Sequence, residues 1–239
     1  MSAGTAPLQH FFWLLQRLEP ESVLDIGCGG GDLLALCRDA GIHAHGIDRG
    51  PHNVRRASAR GLHAYEGYAE KPDFADKAVE WAVLRHVLHH TPNTETVLSE
   101  ALRIAKRGVV IAEPWADLSV PSQRLAHEID RWSKSVHQAL GYYHRPGLDL
   151  PEILATFPGY PPIQTTVDYF TNLAPVSPKT MFDRMADFIS RLPRNHPLKD
   201  QGENLRQRAA ERDVSAMGSM LLTVTIKGPS LAESVVPGR

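Results

Sequence analysis

The feature that most constrains this chain is an apolar segment that runs straight into glycines. Val23-Leu24-Asp25-Ile26 is followed by Gly27-Cys28-Gly29-Gly30-Gly31, and Asp32 opens an amphipathic stretch to residue 40 carrying Leu33, Leu34, Leu36 and Cys37. Strand, glycine turn and helix in immediate succession require a sharply turning backbone, and glycines there let a ligand approach it closely. Asp48 follows at the end of the next strand-like stretch, 42–47. In a doubly wound sheet the tips of the first two strands adjoin, and an acid at the second tip can accept both hydroxyls of a ribose. The pair therefore predicts a nucleoside-type ligand lying across strands one and two.

The rest of the chain carries the periodicity such a sheet needs. Helices are predicted over 8–19, 32–40, 54–60 and 94–105, and strands over 23–26, 42–47, 62–65, 79–84 and 109–112. This alternation argues for a parallel sheet with right-handed crossovers. It breaks at Pro114, after which helical signal continues to about Pro161 with no strand between. A strand over 163–170, helices over 178–192 and 198–212, and a last strand over 219–226 follow. The expected organisation is a core over 1–114, an inserted helical lid over 115–161, completion of the sheet with further substrate-side helices over 162–228, and a frayed tail over 229–239.

Composition closes off several function classes. Lys plus Arg is 26 and Asp plus Glu is 27, a net charge of −1, which argues against a protein that grips nucleic acid through phosphates. Two cysteines, Cys28 and Cys37, are too few for a disulfide framework and are expected as reduced thiols. No apolar run reaches membrane-spanning length, and the first residues lack a signal peptide's order, so a cytoplasmic location with no membrane partner is expected. Oligomeric state is not encoded legibly.

Glycine spacing narrows the ligand. A dinucleotide fingerprint would place glycines at 27, 29 and 32, but residue 32 is Asp, which suits a helix start and repels a pyrophosphate. The observed run, Asp25-x-Gly27-x-Gly29-x-Gly31, resembles that of the class I S-adenosylmethionine-dependent methyltransferases, in particular their small-molecule, methyltransferase-11-like branch. The resemblance extends over about residues 20–115. It implies a Rossmann-like α/β fold, a doubly wound seven-stranded sheet that is mostly parallel, with its antiparallel last strand inserted beside the fifth. It also implies S-adenosylmethionine as cofactor, with Asp25, Gly27, Cys28, Gly29, Asp48, Arg49, Tyr68, Ala69 and Arg85 around it. Many relatives carry an acid where Tyr68 stands, so the face of Tyr68 and the backbone of Ala69 are expected to meet the adenine instead.

The expected reaction is in-line displacement at the sulfonium methyl by a small-molecule acceptor. A second enzymatic reading makes S-adenosylmethionine the substrate, cyclising to release methylthioadenosine; a third is a non-catalytic nucleoside sensor. His86, nearest the fourth strand's tip, and Tyr169 are the candidate catalytic residues. Trp115, Tyr142, Tyr143 and Asn172 are candidates for the acceptor side, the tyrosines because a sulfonium is attracted to ring faces. His86 and His90 would share a helix face, but no Glu lies between them and the sequence indicates no third ligand. No metal is expected, and His89 and His90 read as residues solvating or capping a helix start.

Overall fold

The strands of this chain can bury both faces because their apolar residues run almost without interruption. In the computed structural model, which describes residues 6–157 and 163–226, the first five strands are β1 (Ser22–Ile26), β2 (His43–Asp48), β3 (Ala64–Glu66), β4 (Val79–Arg85) and β5 (Ala105–Trp115). They alternate with α1 (Ala6–Gln16), α2 (Asp32–Asp39), α3 (Pro51–Ser58) and α4 (Thr94–Ile104), where α1 precedes β1. A helical stretch follows, α5 (Pro121–Ala139) and α6 (Leu150–Thr156), then β6 (Ile163–Phe170), α7 (Pro178–Asp183), α8 (Ala186–Arg191), α9 (Pro197–Glu211) and β7 (Gly218–Ile226).

The sheet order is β3-β2-β1-β4-β5-β7-β6. The first four neighbouring pairs are parallel, and β7 runs antiparallel to both β5 and β6. This is the seven-stranded, doubly wound arrangement expected, with the last strand beside the fifth. Strand order reverses between β1 and β4, the switch point at which open α/β sheets leave a crevice outside their carboxyl ends.

Alternate residues of each strand feed opposite faces. Leu24, Ile26, Leu84 and Ile111 pack with Val97, Leu98 and Leu102 of α4 and with Ile153 of α6. Val23, Val83 and Val110 pack with Phe11, Phe12 and Leu15 of α1 and Leu33 of α2. Among the described residues, no helix is long and apolar enough to cross a membrane.

Two elements differ from the sequence expectation. β5 begins at Ala105 and ends at Trp115, well beyond 109–112. Its first turn of sequence, Lys106-Arg107, is exposed and polar, and its end carries the buried Glu113, so hydropathy marks only the middle. Gly108 inside it is required by close packing, because a Cβ there would collide with the Val224 carbonyl of β7. The single helix expected over 178–192 is two short ones, with Phe182 and Met185 both turned into a separate helical cluster.

That cluster joins the two insertions. Leu125, Ile129, Trp132 and Val136 of α5 pack with Phe182, Met185, Leu205, Ala209 and Val214. The expected lid boundary at residue 161, and the tail over 229–239, lie outside the described residues. Trp132 is fully buried at the centre, and its indole N–H donates to the Leu198 carbonyl at 2.8 Å. Trp132→Ala should therefore cost about 3–5 kcal/mol of stability, read from urea unfolding.

Candidate functional site

The glycine turn after β1 is anchored before any ligand arrives. The N–H groups of Gly27 and Cys28 both donate to the Ile47 carbonyl at the tip of β2, at 2.8 and 2.9 Å. Gly27 has φ +77, and a Cβ there would lie 2.5 Å from Val87 Cγ2, so two independent reasons require glycine. Asp48 completes the anchor. Its Oδ2 accepts from the Gly29 N–H at 2.9 Å, and its Oδ1 accepts from the Gly50 N–H at 2.8 Å and the Asn53 amide at 3.1 Å. Its own carbonyl accepts from the Gly67 N–H at 3.1 Å. One residue thus ties together the loops that follow β1, β2 and β3.

These loops wall a cavity of about 560 Å³, within the range of small-molecule and cofactor sites. Six residues expected from sequence line it: Gly27, Asp48, Arg49, Tyr68, Ala69 and His86. Tyr68 is two-thirds exposed, its ring free to cover a ligand. Gly67 and Glu70, which flank the expected Tyr68 and Ala69, also line it, as does His90, expected at a helix start; Asn53 and Thr91 line it too and were not singled out. Their signal was positional: each follows a strand end whose tip was already assigned.

Asp25 and Arg85 sit on neighbouring strands beneath the turn. Asp25 is almost completely buried, and among the described residues its carboxyl accepts no hydrogen bond. Burial pushes its pKa up to about 7, and the positive charge of Arg85 limits the rise. Among the described residues, the buried Nε of Arg85 has no hydrogen-bond partner. Cys28 is buried against this region with its thiol pushed up to about 12 by burial, so it packs as a protonated thiol.

His86 has φ +58, a left-handed conformation that costs a non-glycine residue about 1 kcal/mol or more. Its N–H donates to the Ala112 carbonyl at 2.8 Å, which holds the turn against β5. Burial, then the charge of Arg85, pushes the imidazole down to about 3. It is neutral at physiological pH and a weak proton acceptor.

The other expected residues fall elsewhere. Tyr169 is half-exposed on β6 and meets Trp115 with ring centroids 4.9 Å apart and the planes tilted by 48°. Neither lines the cavity; for Tyr169, β7 and β5 stand between β6 and the turn that follows β4. Tyr142 and Tyr143 are exposed; the Tyr142 hydroxyl accepts from Arg191 at 3.0 Å, and its ring meets Phe188 edge-on. Asn172 is buried in a turn, where its side-chain oxygen accepts from the Ala174 N–H at 3.1 Å and its carbonyl from Gln123 at 2.7 Å. These five are not gathered on the cavity wall.

Histidines produce the largest departure. A 3-10 turn, Leu88–His90, replaces the helix expected to carry His86 and His90 on one face. His89 is buried, not solvating, and its Nδ1 lies 2.7 Å from Oε2 of the fully buried Glu113. Glu113 also accepts from the N–H groups of Leu88 and Leu148, at 3.2 and 3.4 Å. The loop after α5 brings His144 over His90, with ring centroids 4.3 Å apart, and His137 Nδ1 lies 2.8 Å from His144 Nδ1. Burial lowers His90 to about 4 and His144 to about 3.

Residues 10–118 match the family model described as methionine biosynthesis protein MetW. Over 96 residues the chain is 34% identical to a ubiquinone biosynthesis O-methyltransferase of Maricaulis maris, a stretch covering 36% of this chain and only 37% of that enzyme. A solved structure of YcgJ protein from Bacillus subtilis superposes with a TM-score of 0.63 at 18% identity, covering 92% of this chain and 100% of that one. A SAM dependent methyltransferase from Archaeoglobus fulgidus gives 0.57 at 16% identity, covering 94% of each chain. The chain has the class I methyltransferase fold. Within that fold the cavity occupies the switch point, and the matched residues 10–118 contain every residue named on its wall.

Asp25 gives a test with a defined sign. Its folded pKa lies above its ordinary 3.8, so between about pH 4 and 7 the folded state holds a proton that the unfolded state has released. Asp25 therefore contributes stability at low pH that is lost as pH rises to about 7. Asp25→Asn should raise Tm at pH 8 by about 3–8 °C, at about 2–4 °C per kcal/mol, and by much less at pH 4.5. Equal Tm differences at both pH values would contradict the assignment.

Proposed function

We propose that the cavity binds S-adenosylmethionine and that the chain transfers its methyl group to a small-molecule acceptor. The observation that carries this reading is Asp48, a carboxylate fixed at the tip of β2 on the wall of the switch-point cavity, with a glycine turn at its side. Asp48 already accepts three hydrogen bonds, and a carboxylate offers about four acceptor positions, so the ribose hydroxyls would share both oxygens with the loops. Tyr68 and Ala69 border the space for the adenine.

The amino-acid end has a matching pair. An unbonded carboxyl on Asp25 suits an ammonium, and the partnerless Nε of Arg85 suits a carboxylate. Asp32 puts a carboxylate at the start of α2, where a pyrophosphate would need donors, and an ion pair with Arg60 at 2.7 Å holds it there. Bound there, S-adenosylmethionine supplies an electrophilic methyl. What the chain supplies is alignment, exclusion of water and handling of the acceptor's proton. His86 stays neutral and would orient an acceptor O–H or N–H by hydrogen bonding, with little power to remove the proton outright. The helical layer formed by 115–157 and 170–214 would shape the acceptor side. Balanced charge favours a small acceptor over nucleic acid.

Calorimetry with S-adenosylmethionine and S-adenosylhomocysteine checks the cofactor, and absence of binding at millimolar ligand would remove the proposal. Asp48→Ala should weaken binding about 30- to 150-fold. A strand-tip carboxylate would be expected to matter little to folding, but the bonds to Gly29, Gly50 and Asn53 predict an added stability loss of about 1–3 kcal/mol. Asp39→Ala, on α2 where Asp39 pairs only with Arg38, should leave affinity unchanged. Product analysis separates the chemistries: S-adenosylhomocysteine marks methyl transfer, and methylthioadenosine formed without any acceptor marks cyclisation.

A further inference from the structure

We propose that His89, His90 and His144 form a binding site for one divalent transition-metal ion of the zinc type, at the edge of the cavity. Each offers one ring nitrogen, and these three nitrogens lie within 4.8 Å of one another. Tetrahedral ligation at about 2.0–2.1 Å per bond needs them about 3.3–3.4 Å apart, a closure of side-chain size. Sequence hides the set because His144 arrives from a loop more than fifty residues beyond His90.

The surroundings are those of a metal site. Ligating histidines characteristically use their second nitrogen on an outer partner that fixes ring and tautomer. His89 does so through Nδ1 to Glu113 at 2.7 Å, and His144 through Nδ1 to His137 at 2.8 Å. Each thereby keeps Nε2 for an ion. The two backbone segments are braced together: the Arg145 N–H donates to the His89 carbonyl at 3.1 Å, and Leu148 donates to the same Glu113. Charge permits a cation. Glu113 lies behind His89, the nearby buried Lys134 is paired with Asp130 at 2.7 Å, and Arg49 stands beside Asp48.

Ligand chemistry selects the ion. An all-imidazole set suits Zn²⁺, Co²⁺, Ni²⁺ or Cu²⁺ and not Mg²⁺ or Ca²⁺. Three protein ligands leave a fourth position open, as in catalytic and not structural zinc sites. His90 lines the cavity, so that position would take an oxygen or nitrogen donor of a small molecule held there. The metal site is independent of the proposed cofactor; only its use in methyl transfer rests on that reading.

The test uses the full chain without a histidine tag, freed of metal by chelator. Titration with Zn²⁺ should show one ion per chain, and Co²⁺ should give the visible absorption of a four-coordinate site. Loss of an outer-shell partner alone costs about 10- to 100-fold in affinity, so His144→Gln and His90→Gln should each weaken Zn²⁺ binding by at least that much. His43→Gln, at an exposed position at the start of β2, should not. No saturable Zn²⁺ binding, or binding unchanged in both variants, overturns the proposal. If a variant fails to fold, the Co²⁺ spectrum of the parent decides, and its absence counts against the site. Titration of the metal-free chain with S-adenosylhomocysteine runs alongside: binding there without Zn²⁺ binding removes only the metal, and the converse removes only the cofactor reading.

Discussion

The architecture of the cavity depends on the carboxylate of Asp48. Three strands end in separate loops, which must be held in place relative to one another. Asp48 does so with its two side-chain oxygens and its carbonyl, taking N–H groups from Gly29, Gly50 and Gly67 and the amide of Asn53. A carboxylate holding several donors is a strong local organiser, because charge-assisted bonds are about twice as strong as neutral ones. The same residue faces the cavity. Structure and recognition are therefore superimposed on one side chain, and a substitution there disturbs both.

Glu113 plays the corresponding part on the other side of the cavity. A fully buried carboxylate is costly unless its oxygens are satisfied. Here Oε1 accepts from Leu88, and Oε2 meets both His89 and Leu148. The partners belong to the turn after β4 and to the loop before α6, so one buried group on β5 joins the sheet to the helical insertion. It also explains why His89 is buried at all: an imidazole enters a core when its nitrogen has a partner waiting.

Much of the fold was readable because it rests on local patterns. Apolar runs, the break at Pro114 and the glycine turn marked the strands and the position of the cavity, and β6 was placed over the residues it occupies; the order, with the last strand antiparallel beside the fifth, came from the family resemblance. What escaped depends on long-range contact. The ends of β5 are polar or charged because Lys106 and Arg107 reach solvent and Glu113 meets the histidine turn, so hydropathy could not mark them. The left-handed turn at His86 moved His89 and His90 off the expected helix. His144 reached them through a loop whose course is set by Glu113 and His89. Tyr169 was a catalytic candidate beside His86, but the insertion of β7 puts their strand tips on different parts of the sheet edge.

The two halves of the chain answer to different constraints. The family match stops at residue 118, just after β5, although the superposed structures cover more than nine-tenths of the chain. The helical layer beyond that point has a core of its own, built around Trp132, Phe182 and Leu205, distinct from the two cores that flank the sheet. A separate core can be repacked while volume and patterning are kept, without moving the strand tips. Residues of this layer can then change while the Asp48 anchor stays in place. The histidine set crosses that division: His89 and His90 stand in the matched half, and His137 and His144 in the other. A ligand bridging them would couple the Asp48-anchored loops of the cavity to the helical layer beyond β5.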